Sequence, residues 1–320
     1  RDAYTVQGTL VYDFHPYKLR FTGSYEWSKL PIDGSWPSAL QGYFNQKRDR
    51  LDETMTGFGN LRFTHIASTT TFYEIGLSYQ NRYFHRYDPD FKDDWTKYVD
   101  SAANLAKGYT GFRGYFEGPS AYSTIRSFTF DNENAPNNTY SKNAQISTGI
   151  TADITSQILK KWEMKAGGRL DLWKTRNLTV GDISSAMIFL YGKDGHTPRY
   201  PAVMNDSLEM DRRIRVAKNE NGTINHYGYD VDGEKVDDGV DAARKPLFAS
   251  AYFQNKLEYS DLILNFGLRY EYMNTKNKTF NNPSNPDFNA DLDIIDETKL
   301  KEVAPFELVL PRISFSFPVT

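Results

Sequence analysis

The side chains best suited to chemistry are charged residues that recur at alternate positions. In LFASAYFQNKLEYSDLILNFGLRYEYM, residues 247–273, Gln254, Lys256 and Glu258 share one parity. The other parity of residues 247–259 is apolar or aromatic at every position except Asn255. Alternate residues of a strand share one face, so these charges would line one wet surface. They could mark a substrate path, although a solvated wall of compensating charges is favoured for any single residue. The substrate-path candidates are Arg20, Glu26, Arg62, Glu74, Arg82, Lys165, Arg169, Asp171, Lys256, Arg269 and Glu271.

The sequence does not indicate a metal or catalytic centre. No two of the five histidines share metal-ligand spacing, and the absence of cysteine excludes thiolate ligands and a cysteine nucleophile. Residues 230–233, Asp-Val-Asp-Gly, begin like a calcium loop, but Gly233 comes two residues early and no Glu occupies the twelfth position. A polar turn is therefore favoured there. We expect no metal, no cofactor and no enzymatic activity.

Residues 93–108, DDWTKYVDSAANLAKG, depart from the alternating pattern. Apolar residues from Trp95 to Ala106 recur at helical spacing, which predicts a helix that Asp93 or Asp94 begins and Gly108 ends. It could act as a lid or docking helix, although packing within its own loop is favoured.

Aromatic residues follow this predicted helix in a glycine-rich stretch. Such rings could stack on sugar or peptide ligands, or they could form a small core of the loop itself, and both interpretations stay open. The loop-binding candidates are Tyr109, Phe112, Tyr115, Phe116 and Tyr122.

Long β-strands are the elements that must position these residues. From Leu247 to Tyr259 the apolar positions are mostly odd, and after Ser260-Asp261 they become mostly even. This pattern predicts two strands joined by a tight turn, each about twice the usual strand length.

The same hairpin recurs along the chain. The pattern repeats over residues 4–14 with 18–29, 55–64 with 73–83, 144–155 with 162–172 and 247–259 with 262–272, and a ninth strand ends at Pro318. Turns near residues 15, 67, 158 and 260 are short, whereas the intervening loops cover about 30–52, 84–141, 174–246 and 274–306. Short turns at one end and long loops at the other are typical of an outer-membrane β-barrel.

This organisation predicts an all-β fold, an antiparallel up-and-down transmembrane β-barrel segment with long extracellular loops. A tilted strand of about ten residues crosses the hydrocarbon layer. The apolar face would then meet lipid and the charged face would line the lumen. Mean hydropathy is −0.63 and aromatic residues make up 15% of the chain, both compatible with such a barrel. A soluble antiparallel sandwich is the alternative.

About nine strands cannot close a barrel by themselves, because an open edge in a bilayer leaves backbone groups unpaired. We therefore expect residues 1–320 to be part of a single barrel domain that is completed by further strands. A net charge of −3 without a basic block argues against a nucleic-acid partner.

Residues 226–272, HYGYDVDGEKVDDGVDAARKPLFASAYFQNKLEYSDLILNFGLRYEY, resemble the barrel of TonB-dependent outer-membrane receptors, particularly the Oar-like and SusC-like proteins. The closing LPRISFSFPVT resembles the next strand of that family, and residues 144–172 fit more loosely. The resemblance implies a barrel of about 22 strands, plugged by an N-terminal domain. Within the chain we find no plug, no TonB-box peptide and no C-terminal aromatic residue.

The resemblance implies a receptor-transporter of the bacterial cell outer membrane. Substrate would bind at the extracellular loops and pass inward when a TonB-type energy-transducing protein pulls on the plug, through the N-terminal part that this chain lacks. Outer-membrane lipid is the second expected partner, and a surface lipoprotein or another outer-membrane protein is a further candidate. The alternatives are a structural or secretion-associated barrel that recruits partners through its loops, and a barrel-embedded hydrolase. Sugar, peptide, metal chelate and vitamin substrates all stay open.

Overall fold

The computed structural model describes residues 2–31, 42–120, 122–196, 214, 223–284, 288–289, 294–296 and 299–317. Nine long strands dominate this part of the chain: β1 (Asp2–Phe14), β2 (Tyr17–Pro31), β3 (Leu51–Ile66), β4 (Thr71–Tyr87), β7 (Tyr140–Leu159), β8 (Trp162–Val180), β10 (Leu247–Tyr259), β11 (Leu262–Asn274) and β16 (Phe306–Ser316). The short strands of the loops are β5 (Tyr122–Ile125), β6 (Phe128–Asp131), β9 (Ile224–Tyr227), β12 (Lys278–Phe280), β13 (Phe288–Asn289), β14 (Ile294–Ile295) and β15 (Leu300–Glu302).

The long strands form one antiparallel sheet in the order β1-β2-β3-β4-β7-β8-β10-β11-β16, and β9 pairs with the end of β8. Each long strand therefore lies beside the long strand that follows it in sequence, which confirms the predicted all-β up-and-down architecture. The strands are longer than predicted at the loop side, since β4 continues to Tyr87 and β7 begins at Tyr140. The predicted end of the ninth strand, Pro318, lies outside the described residues.

Two ends of the sheet can be distinguished. The short-turn end carries the connections 15–16, 67–70, 160–161 and 260–261, and the long-loop end carries the segments 32–50, 88–139, 181–246 and 275–305. The tight turn predicted at Ser260-Asp261 is confirmed, because Tyr259 is directly opposite Leu262.

The register places the mainly apolar positions of all nine long strands on the same face of the sheet. Phe253 is opposite both Ala166 and Leu268, and the same row continues to Pro311. We call this the apolar face, and the opposite side the polar face. The predicted division of the fourth hairpin is confirmed: Tyr252, Gln254, Lys256, Glu258, Arg269 and Glu271 share the polar face, whereas Phe253, Leu257, Leu264, Phe266 and Leu268 share the apolar face.

The buried core does not lie on the middle of the sheet. It is formed at the long-loop end, where the apolar-face residues that end β4, β7 and β8 are covered by loop residues. We call this cluster the loop core; its buried members are Tyr87, Trp95, Tyr98, Val99, Phe116, Tyr140, Ala144, Leu178, Val180, Ile183, Ala186, Met187, Phe189, Leu190, Ile224 and Tyr229. Nearer the short-turn end the apolar face is uncovered, so that Leu10 is 72% exposed and Leu268 is 55% exposed.

The prediction of one helix over residues 93–108 is wrong about where the helix begins and how long it is. A 3₁₀ turn, Trp95–Lys97, is separated from a short helix α1, Ser101–Ala106, which Asp100 caps through a bond from the Ala103 amide at 2.7 Å. The Asn104 side chain donates to the carbonyls of residues 97 and 98, which a continuous helix would have used for its own backbone bonds. The predicted end is confirmed, because Gly108 adopts φ +88°.

A second helix, α2 (Ile183–Tyr191), was not predicted. Its N-cap is Asp182, whose carboxylate accepts bonds from the Ser185 amide at 3.1 Å and from the Asn138 side chain at 2.9 Å. Burial alone would raise the pKa of the Asp182 carboxyl, but hydrogen bonds from the Ser185 hydroxyl, the Ser185 amide and Asn138 outweigh it and hold the pKa below its ordinary value. An Asp before an apolar run was the available signal.

None of the described helices is both long and apolar enough to span a membrane.

The pairing of β4 with β7 joins strands that a long loop separates, and an engineered disulfide can test it. Gln80 is directly opposite Ser147, whereas Ile146 points to the other face. Because the natural chain has no cysteine, Gln80→Cys with Ser147→Cys should cross-link on oxidation, and Gln80→Cys with Ile146→Cys should not. Gel mobility with and without reductant measures the outcome. Cross-linking of the control pair instead would mean that the register is shifted by one residue.

Candidate functional site

The polar face brings the predicted substrate-path residues onto one surface. Their strand positions place all of them on this face, which extends from β2 to β11. Being on one face does not make them one site, because their charges are organised differently in two parts of the sheet.

The part formed by β8, β10 and β11 is charge-compensated. Arg169 pairs with Asp171 at 2.5 Å, and Lys256 pairs with Glu258 at 2.6 Å. Arg269 pairs with Glu271, and Lys165 pairs with Glu163 at 3.1 Å. Each pair joins residues two apart on the same strand, which share a face. These contacts support the wall interpretation for this part of the sheet.

The part formed by β2, β3 and β4 is only partly compensated: Arg86 pairs with Asp52 at 2.6 Å, whereas three other arginines have no counter-charge in the part of the chain that the structure describes. Arg20 is directly opposite Arg62, and among the described residues neither of them, nor Arg82, has an ion-pair partner within 4.0 Å. Glu74, the nearby acid, accepts a bond from the Thr64 hydroxyl at 2.8 Å. Like charges placed opposite each other on a sheet are unfavourable, so this part of the polar face is suited to an anion.

Shallow cavities occur on the polar face. One of about 300 Å³ is lined by Lys165, Tyr252, Gln254, Asn265, Arg269 and Arg312, together with residues around them. Another of about 370 Å³ lies between the Arg169–Asp171 and Arg269–Glu271 pairs, beside Trp173 and Phe248. The predicted candidates Lys165, Arg169, Asp171, Arg269 and Glu271 therefore line cavities of a size that accepts small ligands.

The long loops are held together by a buried arginine. Arg48, only 1% exposed, donates from Nε to Asp88 Oδ2 at 3.2 Å and from its terminal nitrogens to the carbonyls of residues 98 and 134. Asn137 Nδ2 reaches the same Asp88 oxygen at 2.8 Å. One guanidinium therefore ties the segment before β3 to two parts of the loop after β4. The sequence offered no signal for this network, because its members come from separate segments without a motif.

The loop aromatics predicted as binding candidates separate into different roles. Phe116 is 3% exposed in the loop core, and Tyr115 packs against that core. Tyr109 lies under the Arg48 guanidinium, 4.2 Å from ring centroid to Cζ. Burial, followed by the hydrogen bond to Asp90, raises the pKa of Tyr109 to about 12. Phe112 is half-buried and Tyr122 is 57% exposed, so the five rings do not form one stacking surface.

The acidic loop before β10 forms turns. Asp230 Oδ1 accepts bonds from the amides of residues 232 and 234, which is the geometry of a polar turn. Asp237 pairs with Lys174 at 2.9 Å and Arg176 at 2.7 Å, and these cations, Lys174 first, hold the pKa of its carboxyl below the ordinary value. Across the residues that the model describes, no group of three or more His, Asp or Glu is placed to hold a metal ion.

Comparisons with known proteins find similarity among solved structures. No protein-family model matches the chain, and no curated protein matches it. Among solved structures, the chain is similar to the FrpB iron transporter from Neisseria meningitidis, with 11% identity and a TM-score of 0.44. The match covers 99% of this chain and 35% of the transporter, so the chain spans about a third of that protein's length. The fold is established by the strand pairing and not by this likeness.

Removing the Arg48 guanidinium should loosen the long loops. Arg48→Met would leave the buried Asp88 carboxylate without its cation, which costs about 3–5 kcal/mol at buried pairs. We expect faster proteolysis within residues 88–139, measured by mass spectrometry of the fragments. Arg113→Met is the control, because Arg113 is exposed and bonds only within its own loop. Equal proteolysis of the two variants would contradict a central role for Arg48.

Proposed function

We propose that the chain is part of the β-barrel of a TonB-dependent outer-membrane receptor-transporter, which binds substrate at its extracellular side and imports it through a plugged lumen. One observation carries the membrane part of this proposal. The apolar face is uncovered along the strands, and the only extensive burial of apolar side chains in the described residues is the loop core. A soluble sandwich would have to cover that face with a second layer.

The length of the uncovered region suits a bilayer. On β4 the apolar-face residues Ile75, Leu77 and Tyr79 are exposed, and the covering by loops begins near Tyr87. This leaves a band of about ten residues from the short-turn end, enough for a tilted strand to cross the hydrocarbon layer. The short turns would then be periplasmic, and the loop core would lie on the extracellular side.

Closure requires further strands. Among the described residues, β1 and β16 each pair along one edge only. Inside a bilayer such an edge would leave backbone groups unsatisfied at several kcal/mol each. The proposal therefore includes additional barrel strands, a plug in the lumen and a TonB-type partner. Residues 1–320 would then form one part of a single barrel domain.

A structural or secretion-associated barrel that recruits a protein through its loops is the second candidate. It is favoured by exposed apolar and aromatic residues at the long-loop end. Ile125 and Phe128 of the β5–β6 hairpin are exposed, and Phe130 of the same hairpin packs on Phe44, which also contacts Tyr43. Such groups are common at protein interfaces. A plug domain and a TonB box in the complete protein would favour the importer.

The two parities of β11 should respond oppositely to an added charge. Phe266→Arg places a cation on the apolar face, where at the bilayer midplane it costs about 2–4 kcal/mol. We expect it to lower the folding yield of the complete protein in lipid. Asn265→Arg, on the polar face, should be tolerated or should change only passage through the lumen.

Heat-modifiable gel mobility after refolding into bilayers of matched thickness measures both variants. A soluble sandwich also predicts damage from Phe266→Arg, but that damage would not depend on lipid. Equal folding of the two variants would contradict the proposal that the apolar face contacts lipid, and with it the proposal of a transmembrane barrel.

Trypsin added to intact cells should distinguish the two ends of the sheet. Lys107 and Arg113 are exposed in a long loop, whereas Lys160 and Lys161 are exposed in a short turn. We expect cleavage after the loop residues in sealed cells, and cleavage after the turn residues only once the outer membrane is opened. Cleavage at Lys160 or Lys161 in sealed cells would reverse the orientation.

A further inference from the structure

We propose that a cavity of about 550 Å³ at the long-loop end of the polar face binds a small organic anion that carries hydroxyl groups. We call it the upper cavity; its lining includes Arg82, Phe84, Asn143, Gln145, Asn177 and Tyr227. This inference rests on the proposed function, because it names the substrate class of a receptor whose polar face lines the lumen.

Strand register builds the floor of the upper cavity. Arg82 is opposite Gln145, and Phe84 is opposite Asn143, so these four residues form two neighbouring rows on β4 and β7. The second row continues to Asn177 on β8. The rows lie at the height where the apolar face on the other side of the sheet passes from exposed residues to the loop core. The upper cavity would therefore lie at the mouth of the proposed lumen.

Among the described lining residues, Arg82 is a cation without an ion-pair partner, whereas Arg176 is paired with Asp237 at 2.7 Å. Arg82 is exposed, and its partners across the strands are Thr56 and Gln145, both uncharged. Glu26, the acid in the same row, stands on the far side of Thr56, about 10 Å away by strand spacing. None of the described lining residues is acidic. A guanidinium in this setting binds a carboxylate or phosphate oxygen well, and often with two nitrogens.

The side-chain oxygen of Asn143 is a buried hydrogen-bond acceptor without a donor among the described residues. Asn143 Oδ1 is shielded from solvent and has no hydrogen-bond partner in the described structure. Its neighbour Asn177 does not supply one in this structure: its amide donates to the residue 225 carbonyl at 2.9 Å, and its oxygen accepts from Thr179. Buried polar atoms are nearly always satisfied, and Asn143 lines the upper cavity, so we assign the missing donor to a ligand hydroxyl that a rotation of the Asn143 amide would bring within reach.

The remaining lining limits the size and shape of the ligand. Phe84 and Tyr227 provide aromatic surface, and Gln145 provides an amide beside Arg82. The volume falls in the range of sites for small molecules and is too small for a folded domain. An anion with several hydroxyl groups can satisfy Arg82 and Asn143 together, whereas a neutral polyol can satisfy only the second.

Gluconate and glucose form a matched pair of probes, since they differ mainly in the carboxylate. Isothermal titration should detect saturable binding of gluconate, and none of glucose, to the complete natural protein in lipid nanodiscs and in detergent. Arg82→Gln should weaken gluconate binding about tenfold or more, because it removes a charge-assisted hydrogen bond. Asn143→Leu should weaken it less, by removing one acceptor.

Arg113→Gln is the control, because Arg113 is an exposed arginine of a long loop that does not line the upper cavity and bonds to the residue 118 carbonyl. It should leave gluconate affinity unchanged. Failure of gluconate to bind, binding of glucose with equal affinity, or equal weakening by Arg113→Gln would each overturn the proposed site. Heat-modifiable mobility of the same samples separates the two proposals. If the protein folds in lipid but does not bind gluconate, the proposed site is contradicted and the membrane function is not. If the protein binds gluconate but does not insert into lipid, the membrane function is contradicted and the site is not.

Discussion

Continuous antiparallel pairing of nine neighbouring strands is the constraint on which the rest of the structure depends. Because side chains alternate with a period of two, a slip of one residue in any pairing would move a whole strand's apolar set to the polar face. Among the described pairings of the long strands, the register shifts only between Gln157 and Leu159, next to a short turn. This register determines the positions of the polar face, of the cavities on it and of the apolar face opposite.

The same face of the sheet has two environments along its length. Near the short turns its apolar side chains are uncovered, and near the long loops they are packed under α2 and the segments around it. The loops are joined to the strands without disulfides, since the chain has no cysteine. Buried arginines replace them: Arg48 joins the segments around β3 and β4, and Arg176 of β8 bonds to the carbonyls of residues 228 and 236.

The polar face is likewise not uniform. Adjacent ion pairs neutralise it on β8, β10 and β11. On β2, β3 and β4, Arg86 is paired with Asp52, but Arg20, Arg62 and Arg82 have no ion-pair partner among the described residues. A neutralised wall interacts weakly with a passing solute, and unpaired guanidinium groups attract anions. The upper cavity lies where the unpaired Arg82 meets the amides of β7. Selectivity for anions would therefore arise from one part of the wall.

The sequence by itself determined the strands, their faces and the short turns, because period-two alternation is local and survives in any packing of the sheet. Leu262 to Tyr272 could be assigned to faces before any contact was known, and so could every charged candidate from Arg20 to Glu271. It did not determine the loops. Asn104 interrupts a helix that spacing predicts, and Phe116 is buried by contacts from other loops. Only the tertiary structure decided which charges are neutralised and where Arg82 and Asn143 meet a cavity, because those depend on neighbours distant in sequence.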